Sequence, residues 1–469
     1  MGATLKMLID GALVDGESTL DVVNPATAKH YATVACASAA QADAAIAAAK
    51  KAQPAWAALP FKTRAEYLVK LADALDGKAE DLARSLVQEQ GKPLPEAQAE
   101  IAYAAIFLRS FAAMELPVEV LQDDADLKVE MHYRPLGVVV GIAPWNFPVL
   151  IAFNKVAPAI LLGNTMVLKP APTTPVTTLM VGELAKEILP PGVLNIIVDR
   201  NDLGAHLTSH PDVAKVSFTG STATGKKVAA SAASSLKRLT LELGGNDAGV
   251  VLDDVDVKKV AKGVVDSAFM NAGQVCIALK RLYVADEIYD EMCDELAKLV
   301  SDLQYGDGLE QGVRVGPLQN EMQYKKAQAY LEHAANDGKI IAGGTTGDGE
   351  GYFIRPTVVR DIDDASPLVQ EEQFAPILPV LRYSDVEEVI ERANDTNLGL
   401  GGSVWSSSID RAYDYAQRID SGTVWINHHT HFAPHIPFGG SKESGIGVEF
   451  STHGLSEFAQ KSVISINRR

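Results

Sequence analysis

From residue 137 onward, short β-branched runs alternate with helical stretches. GVVVGI begins at 137, and TMVLK at 165, VLNIIV at 193, AKVSF at 214, LTLEL at 239 and AGVVL at 248 follow. Strands separated by helices predict right-handed βαβ units and a mostly parallel sheet. A second alternating set predicts another α/β domain, with a helix near 255–270, a strand at 281–284, long helices near 287–303 and 321–337, and strands near 353, 377, 403 and 423. Upstream, residues 38–58 read as an alanine-rich helix opened by a Ser38-x-x-Gln41 capping box, in which each end satisfies a backbone donor of the other. A second box, Thr63-x-x-Glu66, predicts the start of the next helix, through about Leu75. The first hundred residues are thus expected to be mainly helical after a strand-like start at 6–9. LKVEMHY at 127–133 and KSVISINRR at the chain end alternate apolar with polar, the period of strands exposed on one face.

At 469 residues the chain suits two or three domains, and 47% hydrophobic with 22% charged residues gives it material for a large buried core. Acidic side chains outnumber basic ones by 60 to 42, for a formal charge of -18. That balance repels phosphate backbones and anionic bilayers, so neither nucleic acid nor a membrane is expected as a partner. Three cysteines, Cys36, Cys276 and Cys293, are too few for a disulfide framework. With no signal-peptide-like start, they point to a reducing, cytoplasmic setting. The apolar stretch at 137–163 is broken by Pro144, Pro148, Pro158, Asn146, Asn154 and Lys155, so it is not expected to cross a bilayer.

Four places carry candidate chemistry. Phe218 to Gly225, FTGSTATG, is expected between a strand and a helix, where its N–H groups could face an anion. Its glycines are spaced neither as a dinucleotide fingerprint nor as a P-loop, so a plain turn is an equal reading. Cys276 is flanked by small and polar residues that would admit a ligand, although most lone intracellular cysteines are inert core fillers, as Cys36 and Cys293 are read to be. Glu242 ends an apolar strand, the edge of an α/β sheet where ligands bind, with a solvated loop acid as the alternative. Asn146 lies between two prolines after another strand, placed to donate to an oxyanion or simply to form a turn.

Those residues sit in a longer ordered series: PWNFP at 144, LKPA at 168, FTGSTATG at 218, LELGGND at 241, NAGQVC at 271, GPL at 316, GYFIRPTV at 351, EEQFAP at 371 and PFGGSKESGIGVE at 437. In this the chain resembles the aldehyde dehydrogenase superfamily over essentially its whole length. The resemblance implies an α/β fold with a Rossmann-like cofactor-binding domain (1–116 and 136–244), an α/β catalytic domain (245–443), and a small bridging or oligomerisation sheet from 117–135 and 444–469. A homodimer or homotetramer is expected.

The resemblance also implies roles. Cys276 would attack the aldehyde carbon, Asn146 and the cysteine N–H would hold the resulting oxyanion, and Glu242 would activate the water that hydrolyses the thioester. Relatives that transfer the acyl group to coenzyme A often lack this glutamate, so a free acid is the expected product. Glu449 matches an acid that helps relay protons, with a solvated C-terminal carboxylate as the alternative. For an NAD cofactor, with NADP possible, Trp145, Lys169, Pro172, Gly220, Ser221, Gly225, Glu372 and Phe374 match the binding positions. Pro172 stands where many NAD-preferring members carry a glutamate, and Arg200 in VDRND could pair with a 2'-phosphate or with Asp199 or Asp202. Ala375 replaces a common glycine.

Phe147, Ile151, Asn154, Met270, Val275, Ile277, His428 and Phe432 match the substrate pocket. Succinate-semialdehyde enzymes of the family place arginines where Asn154 and Met270 stand, so an uncharged aliphatic or aromatic aldehyde is expected. The loop 427–435 holds four of the ten histidines, and no metal is expected there because the family chemistry needs none. The competing readings are a cysteine esterase or acyl transferase without redox chemistry, and a binding protein that keeps the fold without turnover.

Overall fold

The structure, a computed structural model, describes residues 4–469. The chain opens with β1 (Met7–Ile9) and β2 (Ala12–Val14), followed by a hairpin of β3 (Ser18–Asn24) and β4 (Lys29–Cys36). This hairpin lengthens the strand-like start expected at 6–9, and helices take over from Ala39 as expected. Its turn is written in side-chain chemistry, since Asn24 Oδ1 accepts the Ala26 N–H at 2.8 Å and Pro25 stiffens the bend. Helix α1 (Ala39–Ala57) begins at Ser38 with the expected capping box, both bonds present. Helix α2 (Phe61–Gly77) starts earlier than Thr63, directly behind Pro60, and uses no side-chain cap. A proline just ahead of a helix sets where it can start, and Thr63 falls inside the first turn. Helices α3 (Ala79–Gln90) and α4 (Leu94–Ala112) complete this layer.

After β5 (Glu119–Asp123) and β6 (Leu127–Pro135), the βαβ units run β7 (Val138–Ile142), α5 (Pro148–Leu161), β8 (Thr165–Lys169), α6 (Val176–Lys186), β9 (Leu194–Ile196), α7 (Gly204–Ser209), β10 (Val213–Thr219), α8 (Thr222–Ala232) and β11 (Arg238–Glu242). The next strand, β12 (Ala248–Val251), belongs to another sheet, with α9 (Val257–Phe269), β13 (Arg281–Ala285), α10 (Tyr289–Ser301), α11 (Glu321–Asp337), β14 (Lys339–Ala342) and β15 (Thr357–Arg360). The strand expected near 353 forms instead at β15. Ile354 makes only an isolated bridge to Thr346, and Pro356 cannot donate to a ladder.

There follow α12 (Pro367–Gln370), β16 (Ile377–Tyr383), α13 (Val386–Asn394), β17 (Leu398–Gly399), β18 (Gly401–Trp405), α14 (Ile409–Ala416), β19 (Thr423–Ile426), β20 (Ser441–Lys442), β21 (Gly445–Ile446), α15 (Ser451–Ser456) and β22 (Ala459–Asn467).

The first sheet has the order β2-β1-β9-β8-β7-β10-β11-β21, with its five central strands parallel, and the second the order β14-β15-β16-β13-β12-β18-β19. A separate three-stranded antiparallel sheet, β22-β6-β5, joins the chain end to the strand at 127–135 in one unbroken register from Ala459↔Pro135 to Asn467↔Leu127. Apolar cores lie on both faces of the first sheet and around the second. Among the described residues, no helix is long and apolar enough to cross a membrane.

Candidate active site

The chemistry-bearing residues collect where parallel strands end. Lys169 ends β8, Glu242 ends β11, Asn146 follows β7 by four residues and the glycine loop follows β10. The carboxyl ends of parallel strands are left open by the crossover connections, which is why α/β proteins bind ligands there.

Cys276 lies in the loop between α9 and β13. The five residues before it hold an uncommon backbone: Asn271, Ala272 and Gly273 all have positive φ, at 49°, 55° and 72°. Left-handed geometry at two non-glycine residues costs roughly 1–2 kcal/mol each, so the surroundings must enforce it. They do so with polar side chains from α3, from α4 and from the loop itself. Glu96 accepts the Asn271 N–H at 3.0 Å, Gln90 Nε2 donates to Asn271 Oδ1 at 3.0 Å, and Gln274 Oε1 accepts the Gln319 N–H at 2.9 Å.

The same scaffold fixes Asn146. Its backbone oxygen accepts from Lys92 Nζ at 2.8 Å and from Asn271 Nδ2 at 3.1 Å, while its own Nδ2 donates one hydrogen to the Gln274 oxygen at 3.0 Å. An amide nitrogen carries two hydrogens, so one remains for a ligand oxygen. Lys92 is fully buried, paired with Glu100 at 2.5 Å and set 3.7 Å above the Phe147 ring. Glu100 in turn accepts from the Val149 and Leu150 N–H groups at 2.9 and 3.2 Å, capping α5 with a carboxylate. Sequence reading missed Lys92, Glu96 and Glu100, because nothing in a helix-turn-helix pattern says which charged residues turn inward.

Burial pushes the Cys276 thiol up to about 12; the Lys280 ammonium works against this, and Glu372, Asp247 and Glu242 add to it. Glu242 is raised well above the ordinary carboxylate range, first by burial and then by the Glu449 charge, with Lys155 opposing. Both Glu242 carboxylate oxygens are buried without a hydrogen-bond partner among the described residues. A solvated loop acid is therefore not what the structure holds, and an acceptor pair this poorly satisfied suits a water or substrate proton. Glu449 is likewise buried rather than solvated, bonded to Lys155 Nζ at 2.7 Å.

The cofactor candidates divide into three places. Ser221 caps α8, its side chain accepting the Thr224 N–H at 3.3 Å, with Gly220 before it and Gly225 in the first turns, so the loop is a helix N-terminus as expected. Glu372 accepts the Gly245 N–H at 3.1 Å and lies 3.8 Å from Lys280 Nζ. A Cβ at Gly244 would fall 2.3 Å from Glu372 Oε2, so a side chain there would displace that carboxylate. Phe374 meets Trp145 edge-on, ring centroids 5.4 Å apart. At the third place, Lys169 Nζ is 2.6 Å from Asp199 Oδ1, both side chains nearly or fully buried, with Pro172 partly exposed nearby in sequence. Arg200 pairs with neither Asp199 nor Asp202 through its side chain. Its guanidinium donates to the Thr19 carbonyl of the unforeseen hairpin, and only its backbone N–H reaches Asp202.

Around Cys276 the structure brings together Phe147, Met270, Val275, Ile277 and Phe432 as an apolar cluster. Ile151 and Asn154 sit on α5 outside it, and Asn154 Oδ1 is buried without a partner. His428 is exposed and shares with Met270 the lining of a cavity of about 640 Å³. His429 is buried, its Nδ1 2.9 Å from Ser403 Oγ and its ring tilted against Trp425, centroids 4.6 Å apart. Among the described residues no three His, Cys, Asp or Glu side chains converge as a metal site.

Residues 13–464 match the Aldehyde dehydrogenase family. The chain is 38% identical over 458 residues to the putative aldehyde dehydrogenase FUS7 of Gibberella fujikuroi, covering 97% of each. It is 38% identical over 463 residues to the succinate-semialdehyde dehydrogenase [NADP(+)] GabD of Escherichia coli, covering 97% of this chain and 96% of that one. Among solved structures, an NAD+ complex of aldehyde dehydrogenase from Bacillus cereus superposes with a TM-score of 0.97 at 34% identity, covering 100% of this chain and 97% of that one. The chain therefore belongs to the aldehyde dehydrogenase family and has its fold.

Proposed function

We propose that this chain oxidises an uncharged aliphatic or aromatic aldehyde to the free carboxylic acid with NAD(P), through a thiohemiacetal and a thioester on Cys276. The single observation that carries the reading is the convergence of three groups in one buried pocket: a thiol, an amide with one free hydrogen, and a carboxylate with no partner.

The residues fit a dinucleotide. A helix N-terminus suits its pyrophosphate, Lys169 its adenine-side ribose and Glu372 the diol of the other ribose, because a carboxylate offers two acceptor oxygens. A bound cofactor supplies the hydride acceptor. The protein's own part is to hold and move charge. Glu242 takes the thiol proton, and the Cys276 sulfur bonds to the carbonyl carbon. Asn146 Nδ2 and the Cys276 N–H then hold the oxygen as it becomes negative. Once the carbon is oxidised, Glu242 takes a proton from water, the water oxygen bonds to the acyl carbon and the carbon–sulfur bond breaks. The raised proton affinity of Glu242 suits a base that must work twice and release its proton each time.

The substrate class rests on the absence of a free cation in the pocket among the described residues. Lys92 is spent on Glu100, and Lys280 on backbone oxygens and Glu372. The outer cavity's lysine, Lys259, is exposed and shares that lining with the carboxylates Asp256 and Asp266. In this reading 1–116 and 136–244 bind cofactor, 245–443 carry the catalytic thiol, and 117–135 with 444–469 make a bridging sheet through which the chain forms a homodimer or homotetramer in the cytoplasm. A panel of aldehydes scored separately with NAD and NADP tests it. Turnover on benzaldehyde or hexanal well above that on succinic semialdehyde is expected, and the reverse order would overturn the substrate class.

A further inference from the structure

A buried amide is costly unless its oxygen and nitrogen find partners. Three buried asparagines of this chain obey on the oxygen side. Asn164 Oδ1 accepts the Leu136 and Gly137 N–H groups, Asn195 Oδ1 the Asp10 N–H at 2.9 Å, and Asn271 Oδ1 the Gln90 amide at 3.0 Å. Asn246 Oδ1 has no partner, but its Nδ2 donates to the Val369 oxygen at 2.9 Å. Asn154 of α5 has neither. It is 4% exposed, its Oδ1 is buried without a partner, and its side chain makes no hydrogen bond among the described residues.

The face that Asn154 occupies is the one turned to the thiol and the base. Phe147, Ile151 and Asn154 stand at i, i+4 and i+7, within about 60° of one another around a helix of 3.6 residues per turn. The Ile151 N–H donates to the Phe147 oxygen at 3.0 Å, so the helical phase already holds there. Phe147 packs with Cys276, Met270 and Phe432, and Ile151 is partly exposed on an otherwise buried helix. On the other side of Asn154, Lys155 reaches Thr219 Oγ1 and Glu449 Oε1, both at 2.7 Å, and Thr219 is paired in register with Glu242. Leu150, Phe153 and Ala157 turn instead into the apolar core. Asn154 therefore continues the pocket face, between the apolar cluster around the thiol and the strand end that carries Glu242.

We propose that Asn154 selects the substrate by receiving a hydroxyl at its far end, so that the substrate class is a hydroxyl-bearing aromatic aldehyde. The proposal rests on the reading that Cys276 attacks the aldehyde and Asn146 holds its oxygen. Asn146 and Asn154 are eight residues apart, a rise of roughly 12 Å in the direction of α5. A benzene ring carrying an aldehyde and a hydroxyl, with a hydrogen bond of about 3 Å at each end, fills that span. Phe147, Phe432, Val275 and Ile277 give the ring apolar walls. A hydroxyl both donates and accepts, so it meets the Oδ1 and the Nδ2 of an amide together. A carboxylate would set acceptor against acceptor, and an ammonium would be buried as an unpaired charge. Discrimination follows, because an aldehyde without the hydroxyl leaves the buried amide unpaired.

The test is kcat/KM for the full chain with NAD, read as NADH absorbance at a pH low enough for phenols to keep their proton. The aldehydes are benzaldehyde and the meta and para hydroxybenzaldehydes. Each of the latter is set beside its methoxy counterpart, which acts on the ring electrons in nearly the same way but has no proton to donate. At least one hydroxybenzaldehyde is expected to exceed both benzaldehyde and its methoxy counterpart by roughly tenfold. In Asn154→Leu, similar in volume but without polar side-chain atoms, that ratio is expected to fall to about one. Asn154→Ala carries the same expectation if the leucine variant does not fold. Equal efficiencies in the unaltered chain, or a hydroxyl preference that survives in the variant, overturn the role of Asn154, and benzaldehyde turnover then leaves the proposed function standing. If no aldehyde of the panel reduces NAD, the proposed function itself fails.

Discussion

Burial raises the proton affinity of both Cys276 and Glu242, against the ionisation that the steps proposed for them require. Proton transfer between them is then part of the chemistry rather than a prelude to it. Because the thiol sits near 12, alkylation of Cys276 by iodoacetamide in the cofactor-free protein should rise about tenfold per pH unit across the neutral range. Lys280→Met removes the one opposing ammonium and should slow it further, which peptide mass spectrometry measures. Turnover should likewise rise with pH below the raised pKa of Glu242, since only the ionised form accepts the proton. At the cofactor end, Asp199 neutralises Lys169, and Arg200 is drawn away to Thr19. Neither cation is therefore free for a 2'-phosphate. Asp199→Ala should tighten NADP binding several-fold relative to NAD, measured by fluorescence titration, and an unchanged ratio would remove Asp199 from cofactor choice.

The elements show how a few polar and charged residues on and between α3 and α4 fix the loops around Asn146 and Cys276. Lys92 and Glu100 hold the Asn146 oxygen and the start of α5 together, and Glu96 with Gln90 holds the left-handed run before Cys276. Lys92→Met leaves Glu100 buried and unpaired, a loss of about 3–5 kcal/mol. A lower apparent Tm and a lower kcat with little change in cofactor affinity are expected. The strands and helices themselves were legible, because βαβ spacing and the Ser38 box are local signals. The β3–β4 hairpin was not: its strands bury little beyond Val22 and the end of β4, so the alternation is weak, and the Asn24-Pro25 turn was the only strong mark. Likewise Cys276, Glu242 and Asn146 could be named from their motifs, whereas Lys92, Lys155 and Lys215 look in sequence like any surface lysine. Their burial is decided by partners 8 to 294 residues away.

At the scale of the molecule, Asn146 and Glu242 lie at strand ends of the first large sheet and Cys276 in a loop leading into the second, and the third sheet stands apart with two free edges. Its edge strands expose Val120, Leu121, Val463 and Ile466, apolar groups beside unpaired backbone that invite another subunit. A double change, Val463→Glu with Ile466→Glu, should shift light scattering from a dimer or tetramer toward a monomer, and an unchanged mass would place the interface elsewhere. The central claim is that oxidation passes through an acyl group on Cys276. Acid-quenching the unaltered chain within its first turnover after mixing with benzaldehyde and NAD, followed by intact and peptide mass spectrometry, tests it most directly. The account predicts an adduct of aldehyde mass less two hydrogens on the peptide that carries Cys276, and no adduct, or one on Cys36 or Cys293, would contradict it.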